Sequence, residues 1–197
     1  MPQTIFLIRH GQSTHNEVWE ATGTDPLHFD APLSELGKRQ VAAAQSAARG
    51  LEVELVVTSP LTRAIQTAVG LFGNDVPLLI TPIHRERLAN GCDVGRPPSV
   101  LTADFPTLKF DHLEDCWWYD STERDARGFA IEPLEALAER VLSFQAWLPS
   151  LPQRKVAIVG HGAFFRHLTG TMFDNCAIME WRPADGARTA SLRRHEP

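Results

Sequence analysis

The chain has 197 residues, 43% of them hydrophobic and 22% charged, which suits a soluble globular protein of one domain. A chain of this size buries roughly 70% of its unfolded surface, enough for a core of its own. Its formal net charge of -5 supplies no global basic field and so argues against nucleic acid as the main partner.

The first element is Thr4-Ile5-Phe6-Leu7-Ile8, a short apolar run that reads as a buried strand. It runs into Arg9-His10-Gly11, where glycine lets the backbone turn and approach a ligand closely. A polar loop is expected from Gln12 to Pro32. Ser34 then caps a helix from Glu35 to Arg49, which Gly50 stops. Leu55 to Ser59 is a second strand. Ser59 suits the N-cap, and Pro60 the first position, of a helix over 60–72, which places Arg63 in its first turn. A third short strand over 77–81 leads to His84-Arg85-Glu86. Residues 87–130 show no clean period and are expected as an insertion, a lid folded over the sheet edge. Leu134, Leu137, Ala138, Val141, Leu142 and Leu148 recur at helical spacing and predict a helix over 133–148. Strand 155–159 follows, then Gly160-His161-Gly162 and a helix over 163–173. Ala187 to Arg193 alternates and suits an edge strand. This alternation of strands and helices predicts a three-layer α/β/α sandwich. Its central sheet is mostly parallel with an antiparallel edge strand, in one domain over 1–197.

Cys92, Cys116 and Cys176 are odd in number and form no CxxC pair, which argues against a zinc site or a disulfide framework. No apolar run approaches the roughly 20 residues needed to span a bilayer. The N-terminus enters the first strand at once, leaving no room for a signal peptide. A cytoplasmic protein with reduced cysteines and no membrane partner is expected, and an exposed edge strand leaves room for a homodimer.

Three strand ends each deliver cationic or imidazole groups to one edge of the sheet, where open α/β sheets bind ligands. Together they bring Arg9, His10, Arg63, Glu86 and His161. Two arginines fit phosphate oxygens. A neutral imidazole is a competent nucleophile toward phosphorus. A second histidine, if protonated, stabilises developing charge. A carboxyl can protonate a leaving alkoxide and then deprotonate water. The set suffices for phosphoryl transfer through a phosphohistidine, with positive charge supplied by side chains, so neither metal nor cofactor is expected. Asp93, Asp104 and Glu114 compete with Glu86 as the carboxyl. Arg96 is a candidate for a second anionic group, with a surface ion pair as the plainer reading. Trp117, Trp118 and Tyr119 read as packing, and His15, His28, His84, His112, His167 and His195 as structural or exposed.

Arg9-His10-Gly11, followed by Gln12-Ser13-Thr14 and Asn16, resembles the opening motif of the histidine phosphatase superfamily, also called phosphoglycerate-mutase-like. Ser59 to Ala68 resembles its second arginine motif, and Gly160-His161-Gly162 its second histidine motif. Arg85-Glu86 falls where members carry their proton donor. The resemblance implies that His10 is phosphorylated and that Arg9, Arg63 and His161 line the phosphate pocket. It also implies that Glu86 is the acid/base, and that Asn16, Ser13 and the backbone at Gly162 touch phosphate oxygens. Residues 85–96 depart from the aromatic stretch of many members and look more like a phosphomutase-like branch of plants, fungi and bacteria. The expected activity is metal-independent hydrolysis of a small phosphorylated metabolite. The alternatives are a cofactor-dependent phosphoglycerate mutase, whose characteristic insertion this chain does not resemble, and a catalytically inactive phospho-ligand sensor or scaffold, whose usual loss of a nucleophile or pocket cation is not seen here.

Overall fold

The computed structural model describes residues 3–182. Its centre is a five-stranded sheet built from β1 (Thr4–Arg9), β2 (Leu55–Thr58), β3 (Leu78–Ile80), β4 (Lys155–Gly160) and β5 (Ile178–Trp181), in the order β3-β2-β4-β1-β5. β1, β2, β3 and β4 are parallel, and β5 runs antiparallel to β1. The buried stretches of β1, β2 and β4 are apolar but for Thr58, as a sheet covered on both faces requires. Alternate residues divide between the layers: Ile5, Leu7, Val57 and Ile158 pack on one face, Phe6, Ile8, Val56 and Ala157 on the other. The first face is covered by α5 (Leu134–Trp147) and α6 (Gly162–Thr169), through Leu137, Phe144 and Phe164. The second is covered by α2 (Glu35–Arg49) and α3 (Thr62–Phe72), through Val41, Ala64 and Ala68. No described helix is long and apolar enough to cross a membrane.

Several boundaries differ from the sequence reading. The polar loop after β1 contains α1 (Thr14–Thr22), capped by a reciprocal Ser13–Asn16 box and ended by Gly23 in the left-handed region. α3 begins at Thr62 with Leu61 as its N-cap and no side-chain cap bond. Ser59 Oγ accepts from Leu61 N at 3.2 Å, just ahead of the helix, and also bonds His161, as described below. α6 ends at Thr169 because Gly170 adopts φ 77, which breaks the helical path at low cost for glycine. The alternating run over 187–193 lies outside the described residues, and the antiparallel edge strand that is described is β5. Within 87–130 there is one α-helix, α4 (Pro98–Asp104). Its Leu101 packs with Phe110 and Trp117 against Leu61 and Ile65 of the α3 segment. Trp117 is thus packing, as expected, and its indole donates to the Arg96 carbonyl at 2.9 Å.

Close approach of α2 to the segment after β1 sets the shape of the site. A Cβ on Gly37 would lie 2.0 Å from the Gln12 carbonyl oxygen, so only glycine lets the first turn of α2 sit this near the chain leaving His10.

Candidate active site

His10 leaves β1 at its carboxyl end, and its backbone N–H is held by the Gly160 carbonyl at 3.0 Å. Its Nδ1 lies 2.7 Å from the Gly11 carbonyl. A carbonyl only accepts, so Nδ1 carries the proton and Nε2 keeps its lone pair. That lone pair accepts from Arg63 Nε at 3.2 Å. Arg63, in the first turn of α3, is held in place: Nη1 donates to the Cys92 carbonyl at 2.5 Å and Nη2 to Asp93 Oδ1 at 2.8 Å, which leaves a second N–H on each of these nitrogens. Burial pushes the His10 imidazole well below its ordinary pKa, and the adjacent Arg63 and Arg9 charges push it further. The ring is therefore neutral, the nucleophilic form.

Arg9 donates through Nη1 to the Phe173 carbonyl at 2.5 Å, while its buried Nε finds no partner among the described residues. A buried cationic donor left unpaired is a position that an anion satisfies. Gly162 opens α6 beside it. A Cβ there would lie 3.3 Å from Arg9 Nε, so glycine leaves room for the guanidinium at the helix N-terminus, itself a favourable place for anions.

His161 lies at the end of β4, with its ring centroid 5.1 Å from that of His10. Its Nε2 is 2.8 Å from Ser59 Oγ. Its Nδ1 is buried without a partner among the described residues. Burial, then Arg63 and His10, lower its pKa well below the usual value, so the site holds two neutral imidazoles beside two permanent cations.

Glu86 follows a short 3-10 turn, Pro82–His84, after β3. Its carboxyl accepts from Arg87 N at 2.8 Å and from two N–H groups of α6, Ala163 N at 2.9 Å and Phe164 N at 3.0 Å. Burial raises its pKa, Asp93 raises it further, and the backbone donors oppose. The net direction is toward the protonated acid. The competing carboxylates are otherwise occupied: Asp93 is the buried partner of Arg63, Asp104 pairs with Arg96, and Glu114 is exposed.

Arg9, His10, Ser13, Asn16, Arg63 and Glu86 line one cavity of about 140 Å³. Ser13 and Asn16 meet there as the cap of α1: Ser13 Oγ accepts from Asn16 N at 3.1 Å and donates to Asn16 Oδ1 at 3.0 Å. Among the described residues, no group of three or more histidines, cysteines or carboxylates stands together as a metal site. The cavity also takes in His15, Arg87, Asn90 and Asp93. His15, expected as structural or exposed, is buried and stacks on Trp19 with ring centroids 5.8 Å apart. It is 4% exposed and faces the cavity. Both its ring nitrogens lack a hydrogen-bond partner among the described residues, with Asp25 Oδ1 3.5 Å from Nε2. The spacing of His15 one residue before Asn16 was the available signal. Asp93 stands in the sequence reading only as a rival to Glu86, because its pairing with Arg63 spans 30 residues and leaves no local signal. Arg96 is spent on Asp30, Asp104 and Thr62 and does not line the cavity, in keeping with the plainer reading of an ion pair rather than a second anion site.

The chain is similar to several known proteins. The family model described as Histidine phosphatase superfamily (branch 1) matches residues 5–196. A phosphoglycerate mutase-like protein 1 of Arabidopsis thaliana is 30% identical over 88% of this chain and 73% of its own. A glucosyl-3-phosphoglycerate phosphatase of Mycobacterium tuberculosis is 29% identical over 95% and 82%. Among solved structures, a mycobacterial glucosyl-3-phosphoglycerate phosphatase in complex with VO3 superposes with a TM-score of 0.58 at 23% identity, covering 98% of each chain. An alpha-ribazole phosphatase from Shigella flexneri superposes with a TM-score of 0.62 at 20% identity, covering 90% of this chain and 89% of its own. With the family model matched from β1 to beyond β5, the chain belongs to the histidine phosphatase superfamily.

Proposed function

We propose that the protein hydrolyses phosphomonoesters of small metabolites through a phosphohistidine on His10. The observation that carries this reading is a neutral His10 imidazole, its Nε2 unprotonated and hydrogen-bonded by Arg63 Nε, that lines one cavity with Arg9 and Arg63, with a carboxyl biased toward its protonated form on the same cavity. His10 Nε2 forms a bond to phosphorus as the bond to the leaving oxygen breaks. Glu86 gives its proton to that oxygen. The Glu86 carboxylate then takes a proton from water as the water oxygen attacks phosphorus, releasing phosphate and restoring His10 and Glu86. Arg9 and Arg63 hold the phosphoryl oxygens throughout, and their charge is insensitive to pH in the working range. His161 and the Gly162 N–H at the start of α6 complete the cradle, with Ser13 and Asn16 also on the cavity. The charge that stabilises transfer comes from these groups, so the reading includes turnover without a metal. Relatives named as phosphatases, such as the glucosyl-3-phosphoglycerate phosphatase, support hydrolysis over storage of the phosphoryl group.

A mutase reading rests on relatives of another name, including a 2,3-bisphosphoglycerate-dependent phosphoglycerate mutase of Rhizobium etli, 28% identical over 84% of this chain and 78% of its own. The test is phosphate release from p-nitrophenyl phosphate in excess EDTA between about pH 5 and 8, where histidine and carboxyl pairs titrate. Wild type turns over and His10→Ala does not. Metal-dependent activity, or activity that survives in His10→Ala, overturns the reading. Conversion of 3-phosphoglycerate to 2-phosphoglycerate with added bisphosphoglycerate, faster than phosphate release, replaces it with the mutase.

A further inference from the structure

The segment that carries Glu86 is gripped from behind by a buried ion pair outside the cavity. Glu132 precedes α5 and is 1% exposed. Arg140 lies in the second turn of α5. The carboxylate takes the guanidinium through both oxygens, Nε to Oε1 at 3.0 Å and Nη2 to Oε2 at 2.7 Å, the bidentate arrangement that fixes orientation as well as distance. The remaining donors of Arg140 turn to the backbone approaching Glu86. Nη1 bonds the Arg85 carbonyl at 2.6 Å and the Ile83 carbonyl at 3.3 Å, and Nη2 makes a longer contact of 3.5 Å with the Glu86 carbonyl. Glu132 closes the same segment from the other end. Its Oε2 accepts from Leu88 N at 3.3 Å, its backbone N–H donates to the Leu88 carbonyl at 2.8 Å, and its own carbonyl accepts from Arg87 Nε at 2.8 Å.

The pair also reaches the far side of the carboxyl. The Arg140 guanidinium carbon stands 5.3 Å from the centre of the Phe164 ring. Phe164 N–H is one of the two α6 donors that hold the Glu86 carboxyl. One guanidinium therefore touches both the backbone beneath Glu86 and the residue that grips its head. A buried ion pair is a weak source of stability, since desolvation offsets most of its attraction, but it constrains direction in a way apolar packing does not.

We propose that Glu132 and Arg140 are positioning residues for proton donation, holding the Glu86 carboxyl against the leaving oxygen. The proposal rests on the reading of Glu86 as the acid. General acid catalysis requires hydrogen-bond reach to the leaving atom, and a misplacement of about 1 Å costs on the order of a hundredfold. The consequence depends on the leaving group. A nitrophenolate departs without a proton and an alkoxide does not. Lost positioning therefore shows on alkyl esters, whereas a general weakening of the fold lowers both classes together.

The experiment compares kcat/KM for glycerol phosphate and for p-nitrophenyl phosphate in wild type, Arg140→Met, Arg140→Lys and Glu132→Gln. The alkyl-to-aryl ratio is expected to fall at least tenfold in Arg140→Met and less in Arg140→Lys. It should fall no further when Arg140→Met is added to Glu86→Gln. Equal losses on both esters, or an unchanged ratio, overturn the proposal. Should Arg140→Met fail to fold, the ratio in Glu132→Gln, which keeps the side-chain volume, decides in the same way. His10→Ala in the same assay reports on the phosphohistidine separately: activity surviving there counts against the hydrolytic reading, while the ester ratio reports on the clamp.

Discussion

Asp93 offers the sharpest test of the site's electrostatics, because one carboxylate serves two distinct purposes. It pairs with Arg63 at 2.8 Å with side-chain exposures of 3% and 4% for the two partners, and its other oxygen accepts from Ala89 N at 3.3 Å and Asn90 N at 3.1 Å. Asp93→Ala leaves a buried guanidinium donor and two backbone N–H groups without their acceptor. Removing one member of a buried ion pair costs about 3–5 kcal/mol. For a domain of this size each kcal/mol moves the melting temperature by about 2–4 °C, so the variant melts roughly 6–20 °C below wild type. The second effect concerns Glu86, whose pKa is raised first by burial and next by the Asp93 charge. Without that negative charge Glu86 ionises at lower pH. A general acid works only while protonated, so the alkaline limb of kcat/KM on an alkyl phosphate moves to lower pH. Asp93→Asn keeps one acceptor for Arg63 and separates the two effects, with a smaller loss of stability and the same acidward move. Calorimetry and a pH profile measure both. A stability loss in Asp93→Ala below about 1 kcal/mol, the value of an exposed pair, refutes the buried-pair account. An alkaline limb that stays in place or moves upward refutes the assignment of Glu86.

Three further outcomes are expected. His84 is buried against the Val159 carbonyl at 3.1 Å, and burial lowers its pKa from 6.5 to about 3. The unfolded chain then binds the extra proton, so stability falls as pH drops from about 6.5 toward 3, by about 2 kcal/mol between pH 7 and 5 from this group alone. Urea titrations of His84→Gln should show a dependence flatter by that amount, and an unchanged slope would falsify the shift. Gly37→Ala drives a methyl onto the Gln12 carbonyl oxygen and should destabilise by about 3 kcal/mol, the upper part of the overpacking range. A denaturation midpoint matching wild type would mean that α2 can back away. Ser59→Ala strips His161 of its hydroxyl partner, and a loss of about 1.4 kcal/mol of positioning corresponds to a kcat about tenfold lower. Equal kcat at saturating substrate would show that the hydroxyl only fills space.

What could be read from the chain and what could not divide along a physical line. The strand-to-helix junctions were readable because everything they need is local. An apolar run ending in Arg9-His10-Gly11 or Gly160-His161-Gly162 states within a few residues that a side chain is presented at a sheet edge, and those residues do meet in one place. α2 was readable to the residue, since Ser34 and Gly50 mark its ends and its alanine-rich body leaves little doubt between. α1 was not, because only His15 among its nine residues is buried. It has no apolar stripe to detect, and its only local mark was the Ser13–Asn16 cap. β5 is a strand by virtue of β1. With only Met179 buried among its four residues, it carries too short a pattern to announce itself.

The start of α3 shows the opposite failure, a strong local signal overruled from a distance. Ser59-Pro60 has the composition of a cap, yet Ser59 Oγ takes only the Leu61 N–H ahead of the helix, shares itself with a histidine 102 residues away, and the helix begins two residues after Pro60. The same distance dependence hid Asp93, which matters only because Arg63 is buried against it, and the Glu132–Arg140 pair, whose targets at Ile83, Arg85 and Glu86 lie more than 50 residues upstream of Arg140. Residues that perform chemistry in this fold sit at junctions written into adjacent sequence. Residues that hold them in place are defined by partners elsewhere in the chain, so the proposed nucleophile and the cations beside it could be named before the fold was known, and their supports could not.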